Sequence, residues 1–396
     1  MRIRQLTGCV VLAALVGACI SGEEDKNRCE SDEHCLEGYR CNGAVCLPVD
    51  PARERAYLAS VGSFTAPGGY VDVPGGALSF TPATSSEVWL VLLSARISAG
   101  SAKVRYLVNG QTRGVGDSTA TSGWTPWQHV CPITGSTEEQ KVRVQLAAGE
   151  IARLQIVAFP LPGGSDFQLT QTETTRTVYA SWTDLNELSF APGAAGTYLV
   201  IAGWNSSDLP GKTSIKIRLR DPNGAYWPTG DVIAQHYGGF QSNLLVRSVE
   251  LPAGPASFAL QALGSETGAQ LSFARVMAFR TDGLEHAASA QRLPSFSVST
   301  SERIVPATLT ASPPGERRHV VLANVVAGSG DTVVRASFLD GEAALDEYSA
   351  EIASRASFSY FDLIQTARSF TLKIGLASPA AVELRANDAT IHILRL

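Results

Sequence analysis

Four of the seven cysteines, Cys29, Cys35, Cys41 and Cys46, fall inside eighteen residues, a stretch too short to build a hydrophobic core. In an exported chain, thiols at this density form a disulfide framework, and four cysteines leave three connectivities open. The rival chemistry is a metal site, because Asp32, Glu33 and His34 lie beside the thiols. Zinc-binding cysteines come in pairs two to four residues apart and these gaps are wider, so no metal and no other cofactor is expected. Cys131 has no evident partner and reads as a buried thiol. The second chemistry-bearing set is aromatic: Trp89, Trp124, Trp127, Trp182, Trp204 and Trp227 all fall in the first 227 residues. Trp89 lies inside an apolar run and belongs to a core. Trp124, Trp127, Tyr226 and Trp227 fall in loop-like segments that follow strands ending in Asn-Gly. Rings carried on loops stack on sugars or anchor a protein partner, and the competing reading has them covering a sandwich edge.

Catalytic patterns are missing from the sequence. It contains no Gly-x-Ser-x-Gly, no His-Glu-x-x-His and no Gly-x-Gly-x-x-Gly behind a strand. Pro210-Gly211-Lys212-Thr213 resembles the end of a phosphate loop, but Ser206 stands where the first glycine is required, so it reads as a hairpin loop. His34, His129, His236, His286, His319 and His392 are scattered, with no pair at ligand spacing. The acidic residues cluster near turns, where solubility and turn chemistry place them. The expectation is a protein that is not an enzyme, with an unrecognised hydrolase as an alternative, because a triad can assemble from distant strands.

The N-terminus points to export. Arg2 and Arg4 precede an apolar run from Leu6 to Ala18, too short for a stable span and suited to a signal peptide. Val16-Gly17-Ala18-Cys19 resembles the lipobox of bacterial lipoproteins. The resemblance implies that residues 1–18 are removed and that Cys19 carries the acyl chains, so the protein is anchored without spanning. Ile20 in place of Asp at the next position implies sorting to the outer membrane. Maturation removes Arg2 and Arg4 and no acid, leaving 30 basic against 37 acidic side chains. Anionic lipid heads repel such a surface, which leaves Cys19 as the membrane attachment.

The spacing of residues 29–48, with Ser-Asp-x-x-Cys and Gly-Tyr-x-Cys-x-x-x-x-Cys, is similar to the Dickkopf N-terminal type of cysteine-rich motif. That resemblance implies crossed pairing, Cys29 to Cys41 and Cys35 to Cys46.

Downstream, one pattern recurs three times. Gly76-Ala-Leu78-Ser-Phe80-Thr-Pro82 returns as Asn186-Glu-Leu188-Ser-Phe190-Ala-Pro192 and more weakly as Ala307-Thr-Leu309-Thr-Ala-Ser-Pro313, each followed by an apolar run. Next comes a strand ending in a turn: Lys103-Val-Arg-Tyr-Leu-Val-Asn-Gly110, Lys216-Ile-Arg-Leu-Arg-Asp-Pro-Asn-Gly224 and Thr332-Val-Val-Arg-Ala-Ser-Phe-Leu-Asp-Gly341. Later, Ser257-Phe-Ala-Leu-Gln-Ala-Leu263 matches Ser369-Phe-Thr-Leu-Lys-Ile-Gly375. Leu188 follows Leu78 by 110 positions and Leu309 follows Leu188 by 121, a period the size of a domain. Strict alternation in Ile215-Lys-Ile-Arg-Leu-Arg220 and Phe370-Thr-Leu-Lys-Ile374 predicts strands with one face in a core. Residues 341–352, with apolar positions three and four apart, suggest one short helix.

The fold class expected is all-β: three tandem antiparallel β-sandwich, jelly-roll-like domains after a small disulfide-rich neck. The expected boundaries are a signal peptide at 1–18, a tether at 19–28, the cysteine-rich motif at 29–48, and sandwiches at 53–161, 166–281 and 287–396. The composition agrees, with 44% hydrophobic and 17% charged residues, too apolar for a disordered chain. A formal charge of −5 provides no basic footprint, so nucleic acid is excluded as a partner. The functional expectation is a non-catalytic, lipid-anchored envelope protein with a structural, adhesive or ligand-binding role and a glycan or envelope-protein partner. A carbohydrate-binding protein using the loop tryptophans is the alternative.

Overall fold

The computed structural model describes residues 55–395 apart from short stretches (99–101, 118–122, 163–164, 209–214, 229–232, 236–240, 265–267, 283, 292–295, 299–303, 312–316, 329–331, 353–354, 367 and 379–381), together with strands at 39–41 and 46–48. Cys19 and the expected signal peptide at 1–18 lie outside the described residues. In the neck, β1 (Tyr39–Cys41) pairs antiparallel with β2 (Cys46–Pro48), and Cys41 faces Cys46 across the ladder. Cys29 and Cys35 lie outside the described residues, so the expected disulfides do as well.

The three sequence repeats are three sandwiches of matching topology. The first holds β3 (Tyr57–Val61) with its continuation β4 (Phe64–Thr65), β5 (Val71–Phe80), β6 (Trp89–Ser98), β7 (Lys103–Val108), β8 (Gln111–Asp117), β9 (Gly123–Ile133), β10 (Gln140–Ala148) and β11 (Glu150–Pro160). The second holds β12 (Gln168–Thr172) with β13 (Arg176–Val178), β14 (Thr183–Phe190), β15 (Gly196–Asp208), β16 (Ile215–Arg220), β17 (Tyr226–Trp227) with β18 (Ile233–Gln235), β19 (Gln241–Leu251), β20 (Ala256–Leu263) and β21 (Ala269–Arg280). The third holds β22 (Glu285–Gln291) with β23 (Phe296–Val298), β24 (Ile304–Ala311), β25 (Arg317–Gly328), β26 (Thr332–Asp340), β27 (Ala343–Ile352), β28 (Arg355–Thr366), β29 (Phe370–Ala377) and β30 (Val382–Arg395).

In the first module one sheet runs β3-β11-β6-β9 and the other β5-β10-β7-β8. The same order recurs as β12-β21-β15-β19 with β14-β20-β16-β17, and as β22-β30-β25-β28 with β24-β29-β26-β27. This interleaving of early and late strands is the jelly-roll arrangement. Leu78, Leu188 and Leu309 sit on the equivalent strands β5, β14 and β24, opposite Val142, Phe258 and Leu372. The match of Phe258 with Phe370 is therefore corrected: Phe258 corresponds to Leu372. A slip of two residues keeps every side chain on its face, so the alternating pattern alone does not exclude it.

The modules are not beads on a string. The first sheet named in each is apolar on both faces, and the second face supplies a core shared by all three. Leu90, Leu92, Val157 and Phe159 from the first module meet Leu199, Ile201, Leu244, Met277 and Phe279 from the second and Val320, Leu322, Phe361 and Leu394 from the third. The alternate residues of the same strands, such as Trp89 and Val91 on β6, enter the module's own core. These inner sheets explain the unbroken runs Val88-Trp-Leu-Val-Leu-Leu93 and His319-Val-Val-Leu-Ala323, since a strand buried on both sides has no polar alternation.

The contacts between modules close a ring. The outer-sheet edge of each module touches the inner-sheet edge of the next: β8 meets β19, β18 meets β28, and β27 meets β9. At the third seam the contact is a backbone ladder, with Ser349 opposite Trp124 and Ala350 opposite Gly123, joining two modules in one nine-stranded sheet. Residues 343–352 are therefore a strand that follows a turn at 341–342, and the short helix is corrected. Gly341 and Glu342 form the turn that folds β27 back on β26, and the cross-strand pairing overrides the local spacing.

Unfolding is expected to be concerted. Tryptophan fluorescence reports only the first two modules, whereas far-ultraviolet circular dichroism reports all three, and the two denaturation curves should coincide. Phe159→Ala, which empties a fully buried place in the shared core, should cost about 3–5 kcal/mol and move both curves together. Separate transitions would show that the sandwiches are independent.

Candidate functional site

The structure takes most of the expected loop aromatics off the surface. Trp127 lies within β9 and is 1% exposed, with its ring edge-on to Tyr106 and His129. Gly116 on β8 makes room for it: a Cβ there would stand 2.3 Å from the Trp127 ring. Trp227 is 5% exposed and packs against Phe258 in the second core. Trp124 is half-buried at the seam between β9 and β27. For these three the loop placement is corrected to core and seam packing, because the strands continue through them. Tyr226 alone stays at the surface, 37% exposed. Trp89 is core as expected, and Cys131 is a buried free thiol in the first core.

Polar chemistry concentrates in two places. The first lies where the inner edge strands β9, β19 and β28 meet. Gln128 Nε2 donates to Ser357 Oγ at 2.6 Å and to its carbonyl at 3.0 Å, while the Gln128 amide donates to Ser242 Oγ at 2.7 Å. Ser357 Oγ also accepts from the Leu244 amide at 3.0 Å and donates to Asn243 Oδ1 at 3.3 Å. One buried serine thus ties all three modules. Arg275 does similar work between the first two: 2% exposed, it donates to Tyr106 Oη at 3.0 Å, the Val130 carbonyl at 2.7 Å and the Arg113 carbonyl at 3.0 Å. Within the inner sheet of the third module, β22 and β30 bring together two histidines that are 106 positions apart in sequence, His286 Nε2 lying 3.2 Å from His392 Nδ1. Burial, reinforced by His286, holds His392 down to about 3. Burial and the nearby Arg275 hold His129 down to about 3 as well.

The second place is the outer sheet of the first two modules. On β7, Arg105 Nε donates to Gln145 Oε1 at 2.8 Å, and Gln145 Nε2 donates to Asp72 Oδ1 at 2.7 Å. On β16, Arg218 Nε donates to Gln261 Oε1 at 2.8 Å, and Gln261 Nε2 donates to Asp184 Oδ1 at 2.7 Å. Tyr70 covers the Arg105 guanidinium at 4.0 Å, while Trp182 at 3.8 Å and Tyr226 at 3.7 Å enclose that of Arg218. The third module has Ser337 opposite Gly375 at the corresponding register. Sequence reasoning passed over this set although its signal was present, in the shared Lys-x-Arg of β7 and β16 and the glutamine at matching places on β10 and β20.

Among the described residues no three His, Cys, Asp or Glu side chains gather as a metal site, and no helix is long and apolar enough to cross a membrane. Pro210-Gly211-Lys212-Thr213 lies outside the described residues.

No family model and no curated protein matches the chain. Among solved structures, the triple jelly roll described for the turret assembly of an archaeal virus is 9% identical, covering 91% of this chain and 87% of that one at a TM-score of 0.21. Infectious bursal disease virus, Gx strain, is 11% identical over 59% of this chain and 73% of that one, at 0.21. The N-terminal CBM22-1-CBM22-2 tandem domain of Paenibacillus barcinonensis Xyn10C is 10% identical over 58% of this chain and 93% of that one, at 0.20. At these TM-scores the likenesses carry no argument about fold or function.

The buried histidines make stability depend on pH. An unfolded histidine takes its proton near 6.5, whereas His392 and His129 stay neutral in the fold until about 3. The unfolded state therefore binds more protons between these limits, and stability falls as pH drops through that window by roughly 1.4 kcal/mol per unit per histidine. Denaturant titrations of the wild type and His392→Gln from pH 7 to 4 should show a shallower slope for the variant. Equal slopes would rule out the buried neutral histidine.

Proposed function

We propose that the chain is a non-catalytic, lipid-anchored cell-envelope protein whose ring of three sandwiches serves as a rigid ligand-binding head on an N-terminal tether. The observation that carries this reading is the shared core. It spends the inner sheets on holding the modules together and leaves the outer sheets, with their ordered arginine and aromatic side chains, as the faces a ligand can reach. Binding proteins that present sites on a pre-formed scaffold lose little conformational entropy on association.

The anchor in this reading is Cys19, preceded by Val16-Gly17-Ala18. Two acylated positions or more give stable attachment where a single chain gives marginal binding, since each buried methylene contributes about 0.8 kcal/mol. The acidic surface of the mature chain offers no second attachment to anionic lipid. Outer-membrane sorting follows from Ile20 by the same resemblance.

Binding of glycans is the form of this reading that the outer faces favour, through Tyr226 and Trp182 rather than through Trp124, Trp127 and Trp227. Sugar rings stack on partly exposed aromatic faces, and the buried rings have none to offer.

Cys19→Ser should leave the fold unchanged and move the protein from the membrane to the soluble fraction, with loss of labelled palmitate. Membrane association that survives the substitution would overturn the anchor.

A further inference from the structure

The binding reading above, on which this inference rests, does not say what the head takes. The outer-sheet arginines do. Each guanidinium is fixed three ways: its Nε end by a glutamine, that glutamine by an aspartate on the next strand, and its plane by aromatic rings. What is left over is the same in both modules. Among the described residues, neither Nη group of Arg105 or Arg218 has a hydrogen-bond partner, and both side chains are only partly buried.

A guanidinium whose far edge is free and whose plane is locked presents two parallel donors, the geometry that a carboxylate accepts in bidentate fashion. Immobilisation by the stacked rings removes much of the rotamer entropy that an arginine ordinarily loses on binding. Asp72 and Asp184 engage the glutamine amides, so they orient the arginines without capping their donor edges. The rings beside the guanidinium, Tyr70 at 41% and Tyr226 at 37% exposure, leave part of their surface open next to the charged group. A sugar carrying a carboxylate matches both features, since it joins an anion to a flat C–H face.

From this geometry we infer that Arg105 and Arg218 form twin carboxylate-binding sites on adjacent modules and that their ligand is a uronate-bearing polysaccharide. Recurrence of the set on two faces of one rigid head suits a polymer that carries the same anion at intervals, and simultaneous engagement of both sites adds avidity. The third face, with Ser337 opposite Gly375 in place of arginine and glutamine, takes no part.

The test uses the detergent-solubilised full-length lipoprotein titrated calorimetrically with polygalacturonate, its fully methyl-esterified form, dextran sulfate, poly-glutamate and a neutral glucan. Polygalacturonate should bind and its methyl ester should not. Arg105→Gln or Arg218→Gln should each weaken binding by about tenfold. The double variant should lose far more than either, and Arg218→Lys should recover only part of the loss. Unchanged thermal transitions would show that the variants fold. The inference is overturned if the methyl ester binds equally, if the double variant binds as the wild type does, if dextran sulfate or poly-glutamate is preferred, or if no polymer binds. Binding of the neutral glucan alone would overturn the uronate and leave the general binding head standing. The anchor is judged separately by fractionation of Cys19→Ser, which the arginine substitutions leave unaffected.

Discussion

Burial of three sheets on both faces is the constraint from which the rest of the molecule follows. A sandwich needs one apolar face per sheet. Here β6, β15 and β25, with their neighbours β11, β21 and β30, carry two. At about 25 cal/mol per Å² of apolar surface, burying the second face of each sheet stabilises the three modules together. The modules therefore meet, and the edges that meet, outer strand against inner strand, close after three copies. A head-to-tail contact that closes makes a ring, and one that fails to close makes a fibre.

Apolar contact alone is permissive about register, and the polar groups at the seams supply the specificity it lacks. Ser357 Oγ accepts from Gln128 and Leu244 and donates to Asn243, so any sliding of β9, β19 or β28 would break several buried hydrogen bonds together. Such bonds contribute little net stability when made but cost about 1–3 kcal/mol each when a buried partner is left unsatisfied. Arg275 imposes the same penalty between β21 and the first module, since three groups lose their donor if it moves away.

The all-β class, the triplication and most strand positions were legible in the sequence because alternation such as Ile215-Lys-Ile-Arg-Leu-Arg220 is local and strong. The fate of the tryptophans was not. Trp127 looks like a loop residue between Pro126 and a polar stretch, and only Gly116 on β8 reveals that a space awaits its ring. Nor did the spacing over 341–352 distinguish a helix from the strand that forms there, because what decides it is the pairing with β26 along its length and with β9 at the seam, and neither shows in the segment itself. The shared core did leave a trace, in apolar runs without alternation, and the paired histidines at 286 and 392 left none, since the pairing exists only after β22 and β30 are side by side.

Covalent linkage of the ring has a consequence for how its surfaces change. In a ring assembled from three identical chains, any substitution appears on every face, and a residue useful on one is imposed on all. Here each face is encoded separately. Arginine stands at the matched place on two faces and serine on the third, so the molecule keeps the stability of a closed trimer while its sides are free to evolve apart.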